Sequence, residues 1–106
     1  MSDIVVTEDL NGGVISAKVG DALTIQLLEN PTTGFRWALV TPDIDMFAQT
    51  GDGFRPDAQQ EVGGGGLRVL RFLIKRQGGS KLEFKLARSW ESGPPKRVLS
   101  VHINVS

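Results

Sequence analysis

Three short segments of the chain combine residue types that suit contact with another protein chain. Residues 30–35 read Asn-Pro-Thr-Thr-Gly-Phe, residues 63–66 are four consecutive glycines, and residues 88–90 read Arg-Ser-Trp. The first segment predicts a stiff turn, because an Asn side chain can close an Asx turn, proline fixes its own φ and glycine permits positive φ. The glycine run leaves backbone amides and carbonyls open to a partner, and the tryptophan offers a large apolar surface. The chemistry that these segments suggest is recognition.

Catalysis and metal binding have few side chains to draw on. The chain has no cysteine and a single histidine, His102, so a thiol nucleophile and a typical zinc site are excluded. No Gly-x-Ser-x-Gly motif accompanies the histidine, which alternates out of phase with apolar neighbours and is expected to face solvent. The glycine run lacks the Lys-Ser/Thr of a phosphate loop, and Asp43, Asp45 and Asp52 lack the spacing of a calcium loop. The sequence therefore predicts neither an enzyme nor a cofactor.

The segments that must position these motifs alternate between apolar and polar residues, which is typical of β-strands. The clearest strand is 81–88, where Leu82, Phe84 and Leu86 share one face. The same alternation occurs at residues 4–6, 14–19, 23–27, 35–39, 70–74 and 99–105. Only residues 44–49 could form a helical turn. About seven or eight strands in one chain of this length predict an all-β, antiparallel β-sandwich that forms a single domain.

Strand alternation also predicts where the loops lie. Successive turns of an antiparallel sandwich fall at opposite ends, so alternate loops are neighbours. The first loop (residues 30–35), the glycine loop (residues 63–66) and the tryptophan loop (residues 88–96) are therefore expected side by side. The turns at 42–53 and 77–80 are expected at the far end.

The two tryptophans are expected in opposite environments. Trp37 alternates with Phe35 and Leu39, which places it on an apolar strand face in the core. Trp90 follows the last strand residue, Arg88, and is expected to be exposed in its loop. The alternative is that Trp90 folds back onto the edge of the core, since tryptophan is often partly buried.

Charge and hydropathy exclude two other classes of partner. Lys plus Arg number 12 and Asp plus Glu number 12, which gives a formal net charge of zero. Without a basic cluster the chain lacks the electrostatic footprint of phosphate-backbone binding, so no nucleic acid is expected. The apolar runs are far shorter than the roughly 20 residues that span a bilayer, and no signal peptide is visible, so no membrane is expected. The compartment stays open: cytoplasmic or vesicular, or secreted or periplasmic if a signal was removed.

The three segments together resemble the loop motifs of the chagasin-type inhibitors of papain-like cysteine peptidases. Residues 30–34 match the first motif, Asn-Pro-Thr-Thr-Gly, with an aromatic residue after it. Residues 63–66 fit the Gly-x-Gly-Gly motif, although four glycines leave its register open. Residues 88–90 keep the Arg and Trp of the Arg-Pro-Trp motif but have Ser89 in place of proline. Each motif alone fits an ordinary turn or a slack surface linker, whereas the three in the family's order are specific.

This resemblance implies an immunoglobulin-like sandwich and a reversible, tight-binding inhibitor that is a monomer and forms a 1:1 complex with papain or a cathepsin L-like peptidase. It implies that the first loop is a central wedge over the catalytic Cys and His, with the glycine loop on the non-primed side and the tryptophan loop on the primed side. The peptidase-binding residues implied are Asn30, Pro31, Thr32, Thr33, Gly34, Phe35, Gly63, Gly64, Gly65, Gly66, Arg88 and Trp90. The alternative function is a β-sandwich adhesion or carbohydrate-binding module, although four glycines supply none of the polar side chains that sugars need. The natural target peptidase stays open.

Overall fold

Eight β-strands account for most of the computed structural model, which describes residues 2–30, 33–40, 45–56, 66–88, 90 and 93–106. The strands are β1 (Asp3–Val6), β2 (Val14–Ala17), β3 (Ala22–Glu29), β4 (Arg36–Leu39), β5 (Phe47–Pro56), β6 (Gly66–Ile74), β7 (Gly78–Ala87) and β8 (Arg97–Val105), with a 3₁₀ turn at Glu8–Leu10. Within these residues no helix is long and apolar enough to cross a membrane.

The strands form two four-stranded sheets, ordered β1-β3-β6-β5 and β2-β8-β7-β4. Most neighbours are antiparallel, but β1 runs parallel to β3 and β2 runs parallel to β8. The predicted all-β sandwich is confirmed. The two parallel pairs could not be predicted from alternation, because parallel and antiparallel strands share the same period of two.

Alternating apolar residues from both sheets meet in one core. Its buried members are Val6, Ala17, Leu23, Ile25, Leu27, Trp37, Met46, Phe47, Leu70, Phe72, Ile74, Leu82, Phe84, Leu86, Leu99, Val101, Ile103 and Val105. Trp37 is 2% exposed, and its indole N–H donates to the Leu28 carbonyl at 2.9 Å. His102 is exposed, at an outward position of β8. Both predictions are confirmed.

Some predicted turns lie inside strands instead. Gly51 and Gly53 belong to β5, residues 78–80 begin β7, and residues 47–49, where a helical turn was possible, also lie in β5. A bulge next to Gly51 shifts the register of β5 against β6. Asp52, between the two glycines, forms an ion pair with a side chain of β6. Pairing with β6 therefore overrides the turn preference of glycine and aspartate.

The strand register brings the strand ends that flank the three loops to one end of the sandwich. Glu29 ends β3 and pairs with Gly66 at the start of β6, which also pairs with Pro56 at the end of β5. Arg36 at the start of β4 pairs with Ala87 at the end of β7. The first loop, the β5–β6 connection that carries the glycine loop, and the tryptophan loop therefore leave their strands at the same end, as predicted.

Candidate functional site

The described part of the first loop is held by hydrogen bonds around Thr33. Its backbone N–H and its hydroxyl both donate to the Asn30 carbonyl, at 3.1 and 2.8 Å. The Phe35 N–H donates to the Thr33 hydroxyl at 3.4 Å. Pro31 and Thr32 lie outside the described residues. A bond from residue i+3 back to the carbonyl of residue i is typical of a β-turn, and it holds Asn30 and Thr33 close together.

Gly34 and Trp90 bring the first loop into contact with the tryptophan loop. Gly34 has a φ of +81°, in the left-handed region that favours glycine. A Cβ there would overlap the edge of the Trp90 ring, 2.9 Å from Cζ2 and 3.2 Å from Cζ3. Trp90 nevertheless remains 69% exposed. The predicted exposure is confirmed, and the alternative of burial against the core is wrong; Ser89 lies outside the described residues.

The Arg88 side chain joins the same two loops. Its Nε donates to the Thr33 carbonyl at 2.9 Å. Its guanidinium carbon lies 4.2 Å from the centroid of the Phe35 ring and 5.8 Å from that of the Trp90 ring. The Lys96 ammonium lies 4.7 Å from the Phe35 centroid. Cation–π contacts at exposed sites contribute about 0.5 to 1 kcal/mol each, so these contacts make the two loops one connected surface.

Gly66 is the member of the glycine loop that the structure describes. It is buried at the start of β6 and pairs with Glu29. It is a strand residue rather than a loop residue, because its backbone lies between two paired strands. Gly63, Gly64 and Gly65 lie outside the described residues.

A charged cluster that sequence reasoning missed lies where the first loop leaves β3. Glu29 is 6% exposed, and its Oε2 accepts the Trp37 N–H at 2.8 Å and Arg68 Nη1 at 3.1 Å. Arg68 also donates twice to Asp52, from Nε at 2.5 Å and from Nη2 at 2.8 Å. A signal was available, because Glu29 and Arg68 continue the inward-facing alternation of the apolar residues in β3 and β6.

Hydrogen bonding keeps part of this cluster charged. The bonds from Arg68 hold the pKa of Asp52 below its usual range. The Asp52 carboxylate, followed by the charge of Glu29, raises the pKa of Arg68. The Arg68–Asp52 pair is therefore ionised at neutral pH. Among the described residues, no group of three or more His, Cys, Asp or Glu could hold a metal ion.

Comparison with known sequences points to one family. The profile described as "Chagasin family peptidase inhibitor I42" matches residues 16–105. Chagasin of Trypanosoma cruzi is 33% identical over 94 residues, which cover 84% of this chain and 84% of that protein.

Solved structures share the same architecture. The crystal structure of the cysteine protease inhibitor EhICP2 from Entamoeba histolytica has a TM-score of 0.89 at 23% identity, covering 100% of this chain and 97% of that chain. The inhibitor PbICP-C, solved in complex with falcipain-2, has a TM-score of 0.66 at 17% identity, covering 98% and 89%. At these identities the likeness concerns the fold, and it confirms the immunoglobulin-like sandwich.

Proposed function

Because this chain belongs to the chagasin family of peptidase inhibitors, it is an inhibitor and not an enzyme, and we propose that it blocks papain-like cysteine peptidases with the loops at one end of its sandwich. The observation that carries this proposal is the packing of the Trp90 ring on Gly34. That contact joins the first loop and the tryptophan loop, the two described loops that carry the family's motifs, into one surface.

The first loop suits a wedge that a peptidase does not cut. A substrate enters a cleft of this kind as an extended strand, whereas the bonds of Thr33 to the Asn30 carbonyl fold the loop into a turn. The bond from Arg88 to the Thr33 carbonyl restrains the turn from outside. A loop restrained in this way loses little conformational entropy when it docks. We therefore expect tight binding without cleavage.

Trp90 suits the role of an apolar anchor. Its side chain is mostly exposed, yet it is held by the Gly34 backbone on one side and by the Arg88 guanidinium near its ring. Tryptophan is enriched among the residues that dominate interface energies. A ring that is already positioned before binding makes a larger net contribution, because less rotamer freedom is lost.

The glycine loop is the third segment that we propose contacts the peptidase, and this role is supported by its sequence. Since Gly66 is taken into β6, the residues left for a partner are Gly63, Gly64 and Gly65. Their backbone groups suit strand-like hydrogen bonding on the non-primed side of the cleft.

Titration of papain with the purified protein tests the proposal. We expect reversible inhibition at one-to-one stoichiometry, with mass spectrometry of the recovered complex showing an intact, unmodified chain. A nicked chain as the main species, or no inhibition at micromolar protein, would contradict it. Passage over polysaccharide resins tests the carbohydrate-binding alternative, which no described contact favours. A panel of papain-like peptidases would then identify the preferred target.

A further inference from the structure

We propose that Glu29 is a positioning residue for inhibition: its buried carboxylate, held by Arg68, fixes the first loop relative to the strands that carry the glycine loop. The inference rests on the proposed function, because it explains how the inhibitory loops keep their arrangement. In this role Glu29 does not touch the peptidase; it acts by positioning the loops that do.

Glu29 restrains both ends of the first loop. It directly precedes Asn30, and its Oε2 accepts the backbone N–H of Trp37, two residues after Phe35, at 2.8 Å. The Trp37 indole returns a bond to the Leu28 carbonyl at 2.9 Å. These bonds cross from the sheet of β3 to the sheet of β4. The distance that the first loop must span is therefore set by hydrogen bonds at its base.

Arg68 and Asp52 extend this restraint to the glycine loop. Arg68 in β6 donates to Glu29 at 3.1 Å and makes two bonds to Asp52 in β5. β5 and β6 are the strands on either side of the connection that carries the glycine loop. A continuous chain of charge-assisted hydrogen bonds thus runs from the backbone of β4 through β3 and β6 to β5.

Burial of the ion pair favours a positioning role over a stabilising one. The side chains of Glu29 and Arg68 are 4% and 17% exposed. Replacing such a buried ion pair with apolar residues of similar volume is often neutral or stabilising, whereas removing one partner is destabilising. The ion pair therefore adds little stability that an apolar pair could not supply. What it adds is direction, because a hydrogen bond weakens steeply when donor, hydrogen and acceptor depart from a line. The directed contact here reaches the first residues after the loop.

The test compares three variants with a matched control for binding to papain. Glu29→Ala removes the acceptor, Glu29→Gln keeps an acceptor for the Trp37 N–H without the charge, and Arg68→Met removes the partner. The control is Glu83→Ala in the middle of β7, where the carboxylate pairs with Lys81 at 3.4 Å and is 27% exposed.

We expect the Glu29 and Arg68 variants to associate with papain more slowly, because fewer molecules hold the loop arrangement that binds the peptidase. If that population falls to about a tenth, the Kd rises about tenfold, as expected for Glu29→Ala. Glu29→Gln is expected to recover most of the affinity, to within about threefold, and Arg68→Met to fall between the two. Glu83→Ala is expected to leave the Kd unchanged. All Kd values are compared at temperatures where each variant is fully folded.

Amide hydrogen exchange in the free protein gives a readout that does not need a peptidase. The Thr33 N–H, which bonds to the Asn30 carbonyl, is expected to exchange faster in Arg68→Met and Glu29→Ala, by a larger factor than the amides of β8, which report the loss of global stability. A merely structural role would accelerate the amides of β8 at least as much as that of Thr33, and this result would overturn the inference.

The outcomes separate this inference from the proposed function. If the wild-type protein does not bind papain, the proposed function fails, and Thr33 exchange still decides the positioning role. If the wild-type protein binds and the folded variants retain its Kd and its Thr33 exchange rate, the positioning role of Glu29 is overturned. Should Glu29→Ala not fold, Glu29→Gln and Arg68→Met decide between the same two results.

Discussion

Trp90→Ala separates the binding energy of this surface from the stability of the fold. Trp90 is 69% exposed, and its described contacts are with Gly34 and Arg88. Truncation therefore removes surface contacts, and we expect the free energy of unfolding to fall by no more than about 1 kcal/mol, the value of one exposed cation–π contact. Loss of a tryptophan anchor weakens an interface by about 2 to 4 kcal/mol. That corresponds to a rise in Kd for papain of roughly 30- to 1,000-fold.

Trp37→Ala is the matched control, with the opposite expected result. Trp37 is 2% exposed, and its indole pairs with the Leu28 carbonyl. Alanine leaves a cavity in the core, so we expect a loss of about 3 to 5 kcal/mol in the free energy of unfolding. A domain of this size has about 5 to 15 kcal/mol in total. The denaturant midpoint should therefore fall steeply, with a smaller change in Kd per folded molecule than Trp90→Ala causes.

The assay pairs the dissociation rate from papain with the denaturant midpoint for both variants. The effect of Trp90→Ala should be mainly faster dissociation, because a chain with zero net charge has little long-range attraction through which to change the association rate. If Trp90→Ala unfolds the protein while its affinity per folded molecule is unchanged, Trp90 supports the fold and is not the anchor.

Three other substitutions test further contacts. Gly34→Ala places a Cβ against the Trp90 ring at a φ of +81°. We expect a loss of about 1 to 2 kcal/mol in the free energy of unfolding, together with weaker inhibition. The control is Gly53→Ala, where open space surrounds the added methyl, and equal effects of the two substitutions would refute the role given to Gly34. Arg88→Lys keeps the charge but loses the Nε donor and the planar stacking group. Binding to papain should therefore weaken about tenfold, with little change in the denaturant midpoint. Unaltered binding would show that the bond from Arg88 to the Thr33 carbonyl is dispensable. Two backbone N–H groups, first that of Lys18, lower the pKa of Asp21, so its contribution to stability is complete above a pH of about 4 and is lost as the pH falls through the lowered folded-state pKa. Urea midpoints should therefore depend less on pH below about 4 in Asp21→Asn than in the wild type, and parallel curves would contradict that reasoning.

Much of the fold could be predicted because apolar and polar residues alternate with a period of two in most of the strands. Leu82, Phe84 and Leu86 alternate with charged residues, and their face is buried as expected. The turn predicted at Gly51 and Gly53 was wrong, because turn preference is a local property whereas the strand that contains these residues is set by pairing with β6. The direction of the edge strands has no signature in side-chain alternation, so the parallel pairs emerged only from the structure.

The residues of the site were easier to predict than their contacts. Motif spacing identified Gly34, Arg88 and Trp90, yet the bond from Arg88 to Thr33 joins residues 55 positions apart. Such a contact depends on the pairing of β4 with β7, which brings together segments far apart in the chain and which no local pattern encodes. Glu29 could have been noticed as a carboxylate at an inward-facing position.

The parallel pairing of β2 with β8 has a consequence for the order of folding. β8 lies between β2 and β7 in its sheet, so β2 acquires its neighbour only when strand residues close to the far end of the described chain have arrived. Contacts between residues so distant in sequence close a long loop and are slow to form. The tryptophan loop links β7 to β8, which pair with each other as neighbours in sequence, so the strands that carry this loop do not depend on β2. Docking of β2 on the edge of its sheet is therefore expected to be the late step that completes the sandwich.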